Sequence, residues 1–377
     1  MRKLALSVSA CAVLALAGTA VVSPAWAGGG HGSPPTAGAP VTITSGLVSP
    51  LSLEVDRNRV SYVSQNFAGL LTRVARDKTT TVLASASAPG NEISAVSSRD
   101  DTVNYVEVVP DHSSAVMKAV PAAGGTATQV ADLYAHEASV NPDVDQAYGF
   151  QGLPDTCADQ FPEPGPMVSP PSYTGLVDTH PYASLALHNA IFVADAGANA
   201  ILRVTYDGTV STVAVLPPQA PIVATPEVLA GAGLPACPAG FSYIAEPVPT
   251  DVEIGPDGWL YVTTLPGGPE DPTLGARGSV YKVNPKNGQM RLVAGGFTTA
   301  TGLAVDPSGR IYVAELFGGP TGGGQISVLE KRAKTPVVLT EVASPSAIEV
   351  RAHRLFVTTD SLSETGAASL SLIEVNR

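Results

Sequence analysis

Short apolar runs of four to six residues, separated by turn sequences, recur along the chain. The pattern is clearest in residues 251–262 and 302–313, where one apolar run leads through a tight turn into a second. The turns read Gly-Pro-Asp-Gly at 255–258 and Asp-Pro-Ser-Gly at 306–309. Proline presets φ in such turns and glycine tolerates positive φ. Because helical periodicity is nearly absent, the pattern predicts an all-β protein.

Four further segments repeat the second strand of this unit, with an aromatic residue followed by valine. The intervals between the aromatic residues are 43, 87, 69, 51 and 44 residues. The shorter intervals match the length of a four-stranded propeller blade, about 40–50 residues. We therefore expect a six-bladed β-propeller of four-stranded antiparallel blades. The aromatic anchors are Tyr62, Tyr105, Phe192, Tyr261, Tyr312 and Phe356.

Two proline-rich segments, residues 132–178 and 216–248, interrupt the repeat. Because proline cannot donate a hydrogen bond within a central strand, we expect long ordered loops here rather than a further blade. The last repeat, residues 346–375, shows three strands, whereas residues 41–44 form an isolated strand at the front. We expect this N-terminal strand to complete the last blade and close the ring, so that the propeller spans residues 41–377.

Residues 1–27 have the pattern of a secretory signal peptide: a basic start, an apolar stretch and an Ala-Trp-Ala cleavage motif at 25–27. We expect cleavage after Ala27, a flexible leader over residues 28–40, and a secreted, extracellular protein without a membrane span. A membrane span over the same apolar stretch, or a lipoprotein cut before Cys11, are the alternatives.

The cysteines and the charge balance narrow the class of protein further. Cys157 and Cys237 form an even pair in an exported chain and lie in insertions at the same topological place, which predicts a disulfide. There are 33 acidic against 21 basic residues, a formal net charge of −12. An acidic chain repels phosphate backbones, so we expect no nucleic-acid partner. The partner expected is an extracellular protein or a small ligand, bound by a monomer.

Several segments resemble NHL-type six-bladed propellers and, more closely, the secreted bacterial ScyD/ScyE family. The resemblance covers most of the chain after the leader and implies the propeller fold and export, but no settled biochemical activity. The chain departs from the family pattern at Thr264, where Glu would fit, and at His180, where Asn is usual. The segments include Tyr-Ala-His-Glu at 134–137, Asn-Pro-Asp at 141–143, Ala-Asp-Ala-Gly-Ala-Asn at 194–199 and Gly-Pro-Asp-Gly-Trp-Leu-Tyr-Val at 255–262.

Oxygen-bearing side chains gather at predicted strand ends and in the insertions, which would face one rim of the ring. Such residues suit a rim for a ligand or partner, and some could bind Ca²⁺ as a cofactor. The competing interpretation is that they cap strand ends by binding backbone amides. The candidate rim residues are Glu92, Glu137, Asp143, Asp195, Asn199, Asp251 and Glu315. The candidate metal ligands are Glu92, Asp195, Asp251 and Glu315.

No catalytic motif appears: there is no Gly-x-Ser-x-Gly elbow and no His-Glu-x-x-His, so no catalytic residue is assigned. The sequence therefore favours a secreted binding or interaction module that uses its loop-rich top face. The alternative is a calcium-dependent hydrolase of the lactonase or esterase type at the channel mouth, in which a histidine–carboxylate pair would act with the metal.

Overall fold

The computed structural model describes residues 35–165, 168–267, 275–319 and 321–376. Within these residues 29 strands form seven sheets, and the helices are few and short. The expected signal peptide, residues 1–27, lies outside the described residues, and so do residues 28–34 of the expected leader. No helix in the described part of the chain is long and apolar enough to cross a membrane.

Two short strands open the described chain, and the first two meanders follow, each with four consecutive antiparallel strands. The opening strands are β1 (Thr36–Ala37) and β2 (Val41–Leu47). The first meander is β3 (Leu53–Val55), β4 (Ser61–Gln65), β5 (Leu70–Val74) and β6 (Thr80–Ser85), with a 3₁₀ turn at Asn66–Ala68. The second is β7 (Glu92–Arg99), β8 (Thr102–Val108), β9 (Ala115–Pro121) and β10 (Thr128–Asp132).

The two insertions flank the third meander. The first insertion contains α1 (Leu133–Val140), β11 (Ala147–Phe150), α2 (Asp155–Ala158) and β12 (Ser172–Thr174). The third meander is β13 (Pro181–Ala186), β14 (Ile191–Asp195), β15 (Ala200–Val204) and β16 (Val210–Val215). The second insertion contains β17 (Ile222–Val223), α3 (Pro226–Gly231) and β18 (Ser242–Ile244).

Two more meanders and a three-strand unit complete the chain. The fourth meander is β19 (Pro249–Ile254), β20 (Leu260–Thr264), β21 (Gly278–Val283) and β22 (Met290–Phe297). The fifth is β23 (Ala300–Val305), β24 (Ile311–Glu315), β25 (Gln325–Leu329) and β26 (Val337–Glu341). The last unit is β27 (Ile348–Arg351), β28 (Arg354–Thr359) and β29 (Ala368–Asn376).

The sheets pack face to face around a circuit. The first strand of each unit contacts the first strand of the next: β3 contacts β7, β7 contacts β13, β13 contacts β19, β19 contacts β23, β23 contacts β27, and β27 contacts β3. Hydrophobic clusters fill the space between neighbouring sheets; one of them unites Tyr62 and Leu71 with Ile93 and Tyr105. Second strands therefore lie between two sheets, and every residue of β4, β14 and β24 is buried. These features are those of a β-propeller.

Both predicted turns join a first strand to a second strand, and both depend on glycine. Gly258 has φ +76° and donates its N–H to the carbonyl of Gly255 at 2.9 Å. Gly309 has φ +88° and makes the same bond to Asp306 at 2.9 Å. We call the face with these turns the bottom face. The opposite face, where first strands begin, is the top face, and both insertions precede first strands.

The predicted pairing of the N-terminal strand with the last unit is confirmed. β2 pairs antiparallel with β29, and Val41 lies opposite Leu372. The expectation of a flexible leader up to residue 40 is wrong for Thr36 and Ala37, which form β1 and pair with the end of β29, with Thr36 opposite Asn376. The free backbone groups of β29 therefore bind the N-terminal segment along most of the strand.

The expectation of long loops in the insertions is also wrong. Their short strands form a separate antiparallel sheet in the order β12-β11-β18-β17, and three helices flank it. Proline is compatible with this sheet because the prolines precede the strands: Pro170 and Pro171 come before β12, and Pro221 comes before β17. The proline count predicted the absence of a long central strand but not these strands of two to four residues.

Candidate functional site

The two insertions form one substructure on the top face, which we call the cap (the described residues of 132–178 and 216–248). β11 of the first insertion pairs with β18 of the second. The predicted disulfide between Cys157 and Cys237 is confirmed, with Cα atoms 5.8 Å apart. The cap has its own small core around Phe150. Two segments distant in sequence are thus held as one unit.

A cavity of about 240 Å³ opens in the cap, and four of its ten described lining residues are aromatic. Phe150 packs edge-on against Tyr243, with ring centroids 5.0 Å apart, and lies 5.7 Å from the Phe161 ring. These ring contacts make the walls stiff. Ser169, Tyr173 and Glu246 add polar groups to the lining. Among the described residues that line the cavity, Glu246 alone is charged.

The carboxyl group of Glu246 is in an unusual electrostatic environment. Burial raises its pKa to about 7, and the charges of Asp143 and Asp178 act in the same direction. Hydrogen bonding to Tyr173 and Asn199 lowers the pKa but does not offset these effects. A cation entering the pocket would restore the ionised form of Glu246, so the pocket favours positive charge.

Asp195 ends β14 at the top face and organises the turn that follows it. Its side chain is fully buried and accepts hydrogen bonds from Thr179 Oγ1 at 2.6 Å and from the N–H of His180 at 2.8 Å. The N–H groups of Gly197 and Ala198 donate to the same carboxylate at 3.2 and 3.3 Å. Asp195 therefore caps the end of its strand by binding backbone amides, which is the competing interpretation given for the rim acids in the sequence analysis.

Asn199 connects this turn to both insertions. Its Nδ2 donates to Asp143 Oδ2 at 2.9 Å, and its Oδ1 accepts the N–H of Val248 at 3.1 Å. Tyr148 also donates its hydroxyl to Asp143 Oδ2, at 3.0 Å. Asp143 is buried, and this burial raises its pKa despite the two donors. Two predicted residues, Asp143 and Asn199, therefore bind each other, and Asp195 organises the turn that carries Asn199.

Glu137, on α1, is the least satisfied member of the predicted set. Its side chain is fully buried, and neither carboxylate oxygen has a hydrogen-bond partner. Burial, followed by the charges of Asp195 and Asp143, raises its pKa to about 8. The nearby backbone of Asp178 lowers the pKa slightly but lies outside hydrogen-bond geometry.

Two histidine–carboxylate pairs lie beside this network at the channel mouth. His180 Nε2 is 3.3 Å from Glu92 Oε2, and His112 Nδ1 is 2.8 Å from Asp178 Oδ1. The two imidazole rings stack, with centroids 4.4 Å apart and planes at 12°. Burial acts to lower the pKa of His180, but Glu92 raises it above its usual value. The sequence placed Glu92 and His180 at one rim but gave no sign of His112 as their neighbour.

Asp251 lies in β19, which is a first strand, and Glu315 ends β24, which is a second strand. Asp251 accepts the N–H of Val252 at 2.8 Å and of Leu303 at 2.7 Å. Glu315 accepts the N–H of Thr298 at 2.6 Å and the Nε2 of Gln325 at 2.8 Å, and also binds Ser327. Among the described residues, the hydrogen bonds of these two carboxylates do not reach Glu92 or Asp195.

The fit of a metal to these residues is poor. In the described part of the chain, no three side chains of the His, Cys, Asp and Glu types are arranged to hold a metal ion. Asp195, Asp251 and Glu315 already use their oxygens on protein donors. We therefore assign no metal-dependent chemistry to Glu92, Asp195, Asp251 and Glu315. This set of metal ligands stays a prediction.

The ring's central channel is nearly filled by side chains of the first strands. The cavity there is about 10 Å³, with Ser52, Ser184 and Asp251 in its lining. This cavity has room for one water molecule at most.

A cluster of ionisable residues lies near the bottom face, and the sequence analysis did not predict it. Arg351 Nη1 lies 2.7 Å from Glu349 Oε2, and its Nη2 lies 3.4 Å from Glu54 Oε1. Burial and neighbouring acids raise the pKa values of Glu54, Glu349 and Glu253.

A sequence signal for this cluster existed. An apolar-Glu-apolar triplet occurs in three first strands, and each Glu lies opposite an aromatic anchor. The pairs are Glu54 with Tyr62, Glu253 with Tyr261, and Glu349 with Phe356.

Comparison with known proteins identifies the fold. No protein-family model matches the chain, and no curated protein sequence does. Among solved structures, the PQQ-bound aldose sugar dehydrogenase of Streptomyces coelicolor is 13% identical with a TM-score of 0.55, over 91% of this chain and 99% of that one. The calcium-binding protein regucalcin of Agrobacterium tumefaciens is 13% identical with a TM-score of 0.51, over 90% and 95%.

A gluconolactonase from Xanthomonas campestris is similar to the same degree. It is 13% identical with a TM-score of 0.50, over 91% of this chain and 95% of that one. At this level of identity, the similarity shows the β-propeller fold and nothing about activity.

Proposed function

We propose that the chain is a secreted propeller of six blades, of the ScyD/ScyE type, released by cleavage after Ala27. The closed circuit of six first strands supports the blade count. The disulfide in the cap and the secretory pattern of residues 1–27 support export. In this arrangement the N-terminal strand β2 completes the last blade.

The proposed activity is binding: the cap pocket takes a small organic cation, an amine or quaternary ammonium group with an apolar body. The observation that supports this most is Glu246, the one charged group among the described residues of an aromatic pocket. Aromatic faces attract cations through their quadrupole, and a carboxylate adds direct charge pairing. At about 240 Å³, the pocket is below the range of drug-sized ligands, so the ligand is small.

The binding proposal is tested with benzyltrimethylammonium as the probe, against neutral benzyl alcohol and anionic benzoate. Calorimetry or ligand-observed NMR on the full mature chain should detect the cation and little or none of the other two. Glu246→Gln should weaken cation binding at least about tenfold, because the charge pair is lost. Glu163→Gln, an exposed acid of the same cap, is the matched control. Equal binding of the neutral and cationic probes would contradict the proposal.

A second candidate is a lactone or ester hydrolase at the channel mouth. It is favoured by the two stacked histidines with their carboxylates. With Nε2 paired to Glu92, Nδ1 of His180 would be the nitrogen that takes a proton from water, as a general base does. The fold is compatible with this candidate, since a gluconolactonase and a calcium-binding regucalcin have similar structures.

The two candidates are separated by one set of variants. Hydrolysis of a panel of lactones and esters, measured with and without calcium and a chelator, tests for an active site at the channel mouth. Activity that falls in His180→Asn and His112→Asn but persists in Glu246→Gln and in His353→Asn, an exposed histidine, would establish the hydrolase. Activity that is unchanged by His180→Asn would exclude the mouth as the catalytic site.

A further inference from the structure

Four buried oxygen atoms without a hydrogen-bond partner occur within seven residues of the first insertion. They are both carboxylate oxygens of Glu137, Oδ1 of Asn141 and Oδ1 of Asp143. The side chains of Glu137 and Asp143 are 0% and 1% exposed. Buried polar groups in proteins are nearly always satisfied, so this concentration of free acceptors requires an explanation.

Two of these acceptors, on Asn141 and Asp143, lie beside Gly175, and Asp143 is near enough to Glu137 for its charge to act on that carboxyl group. Asn141 ends α1 with φ +41°, and its N–H donates to the carbonyl of Glu137 at 2.7 Å. Asn141 Nδ2 donates to the carbonyl of Gly175 at 3.0 Å. A Cβ atom at Gly175 would lie 2.0 Å from Asp143 Oδ1, so that oxygen packs directly against the Gly175 backbone. Gly175 is therefore the point where the side chains of Asn141 and Asp143 meet.

The acids nearest to Glu137 add negative charge around it. Glu137 experiences the charges of Asp143, Asp195 and Asp178. None of the ion pairs found among the described residues includes Glu137 or Asp143. Burying a carboxylate without a donor or counter-ion is costly, and a bound cation removes that cost.

The donor types identify the cation. Carboxylate and amide oxygens are the ligands of hard cations, and Ca²⁺ accepts six to eight of them in flexible geometry, with backbone carbonyls and water completing the shell. Mg²⁺ demands a strict octahedron and retains most of its water, which a buried, irregular set suits less well. Neither histidine nor cysteine is among the free acceptors, which disfavours Zn²⁺.

We propose that Glu137, Asn141 and Asp143 bind one Ca²⁺ ion beneath the cap. The ion is structural: it joins the end of α1 to the segment around Gly175 and, through Asp143 and Asn199, to the turn of the third meander. This site differs from the predicted metal set at the rim, and none of its three proposed ligands lines the cap pocket.

The first test uses the wild-type mature chain. After treatment with chelator and gel filtration, titration with Ca²⁺ should give one ion per chain by elemental analysis. Saturation should come at or below millimolar Ca²⁺, and the melting temperature should rise by at least about 2 °C. Tb³⁺ should bind in its place, with luminescence excited through Tyr148, whose hydroxyl is 3.0 Å from Asp143 Oδ2. A chain that binds neither ion, with no change in melting temperature, would overturn the proposal.

Variants then locate the ion. Glu137→Gln and Asp143→Asn keep the shape of the side chains and remove charge, and each should weaken Ca²⁺ binding at least about tenfold. Tyr148→Phe should reduce the sensitised Tb³⁺ emission while the Ca²⁺ stoichiometry stays at one. Asp159→Asn, an exposed acid of the same insertion, should change neither measurement. If the acidic variants do not fold, the Tyr148→Phe result decides: undiminished emission would place the ion elsewhere and refute the assignment.

Discussion

Cys157 and Cys237 are 80 residues apart in the chain, yet their disulfide joins the two insertions beside the aromatic pocket. Cys157 is in α2, close to the cap core around Phe150, and Cys237 precedes β18. The third meander lies between them in sequence, so the bond closes a loop around an entire sheet of the ring. The cap therefore has a covalent constraint in addition to its short sheet.

Replacing both cysteines by serine should destabilise the cap selectively. In the chain-entropy model, a closed loop of this length contributes about 4 kcal/mol to the free energy of unfolding. Hydrogen exchange should accelerate more in β11 and β18 than in β24, which is buried in the ring. Reductant applied to the wild type is the matched comparison and should reproduce the effect. Identical exchange in the variant and the oxidised wild type would show that the disulfide does not stabilise the cap.

Removing the N-terminal strand should destabilise the whole ring. β2 provides the outer partner for β29, and without it the backbone groups of β29 lose their partners. A chain that starts at Val48 should melt on the order of 10 °C below one that starts at Pro35. Adding back a synthetic peptide of residues 35–47 should recover part of the loss. Equal melting temperatures would contradict ring closure by β2.

The repeating parts of this fold could be predicted from the sequence, because packing between neighbouring sheets acts on the same strand in each repeat. The anchor Tyr105 and the valine after it lie between two sheets, and such positions select an aromatic residue and a valine each time. The pairing of Cys157 with Cys237 followed from the even pair of cysteines in an exported chain and from their equivalent places in the topology.

The structural features that occur only once in the fold could not be predicted from the sequence. The sheet formed by β11 and β18 depends on contacts between segments far apart in sequence, and its strands are too short for any periodicity. Asp143 and Asn199 were both singled out, but nothing in the sequence indicated that they bind each other. The unpaired state of Glu137 likewise emerges only from tertiary burial.

Binding of an organic cation to the cap pocket should depend on pH through Glu246. Burial raises the pKa of Glu246 from 4.5 to about 7, so the group is protonated below that pH and gives no charge pair. Affinity for benzyltrimethylammonium, whose own charge is fixed, should rise up to tenfold per pH unit below about 7 and level off above it. Calorimetry from pH 5 to 8 measures the curve, and Glu246→Gln should flatten it. A pH-independent affinity in the wild type would exclude Glu246 as the counter-charge.

The acidic cluster near the bottom face should make the protein less stable as pH rises. Its carboxyl groups have raised pKa values in the folded state, about 8 for Glu54 and about 7 for Glu349, against 4.5 when exposed. Between pH 4.5 and these values the unfolded chain has released protons that the folded chain retains, so stability is present at acidic pH and falls across that window.

Glu253 offers the sharpest test of this dependence, because burial and the charges of Glu349 and Asp251 raise its pKa, whereas no ion pair to it is found among the described residues. Glu253→Gln should raise the free energy of unfolding by on the order of 1 kcal/mol at pH 8 and change it little at pH 5, where the carboxyl group is already protonated. Thermal melts at both pH values measure the difference. Glu364→Gln, an exposed acid, should behave like the wild type at both. A loss of stability in Glu253→Gln at pH 8 would mean that ionised Glu253 stabilises the ring through Arg351, and the sign of the dependence would then be reversed.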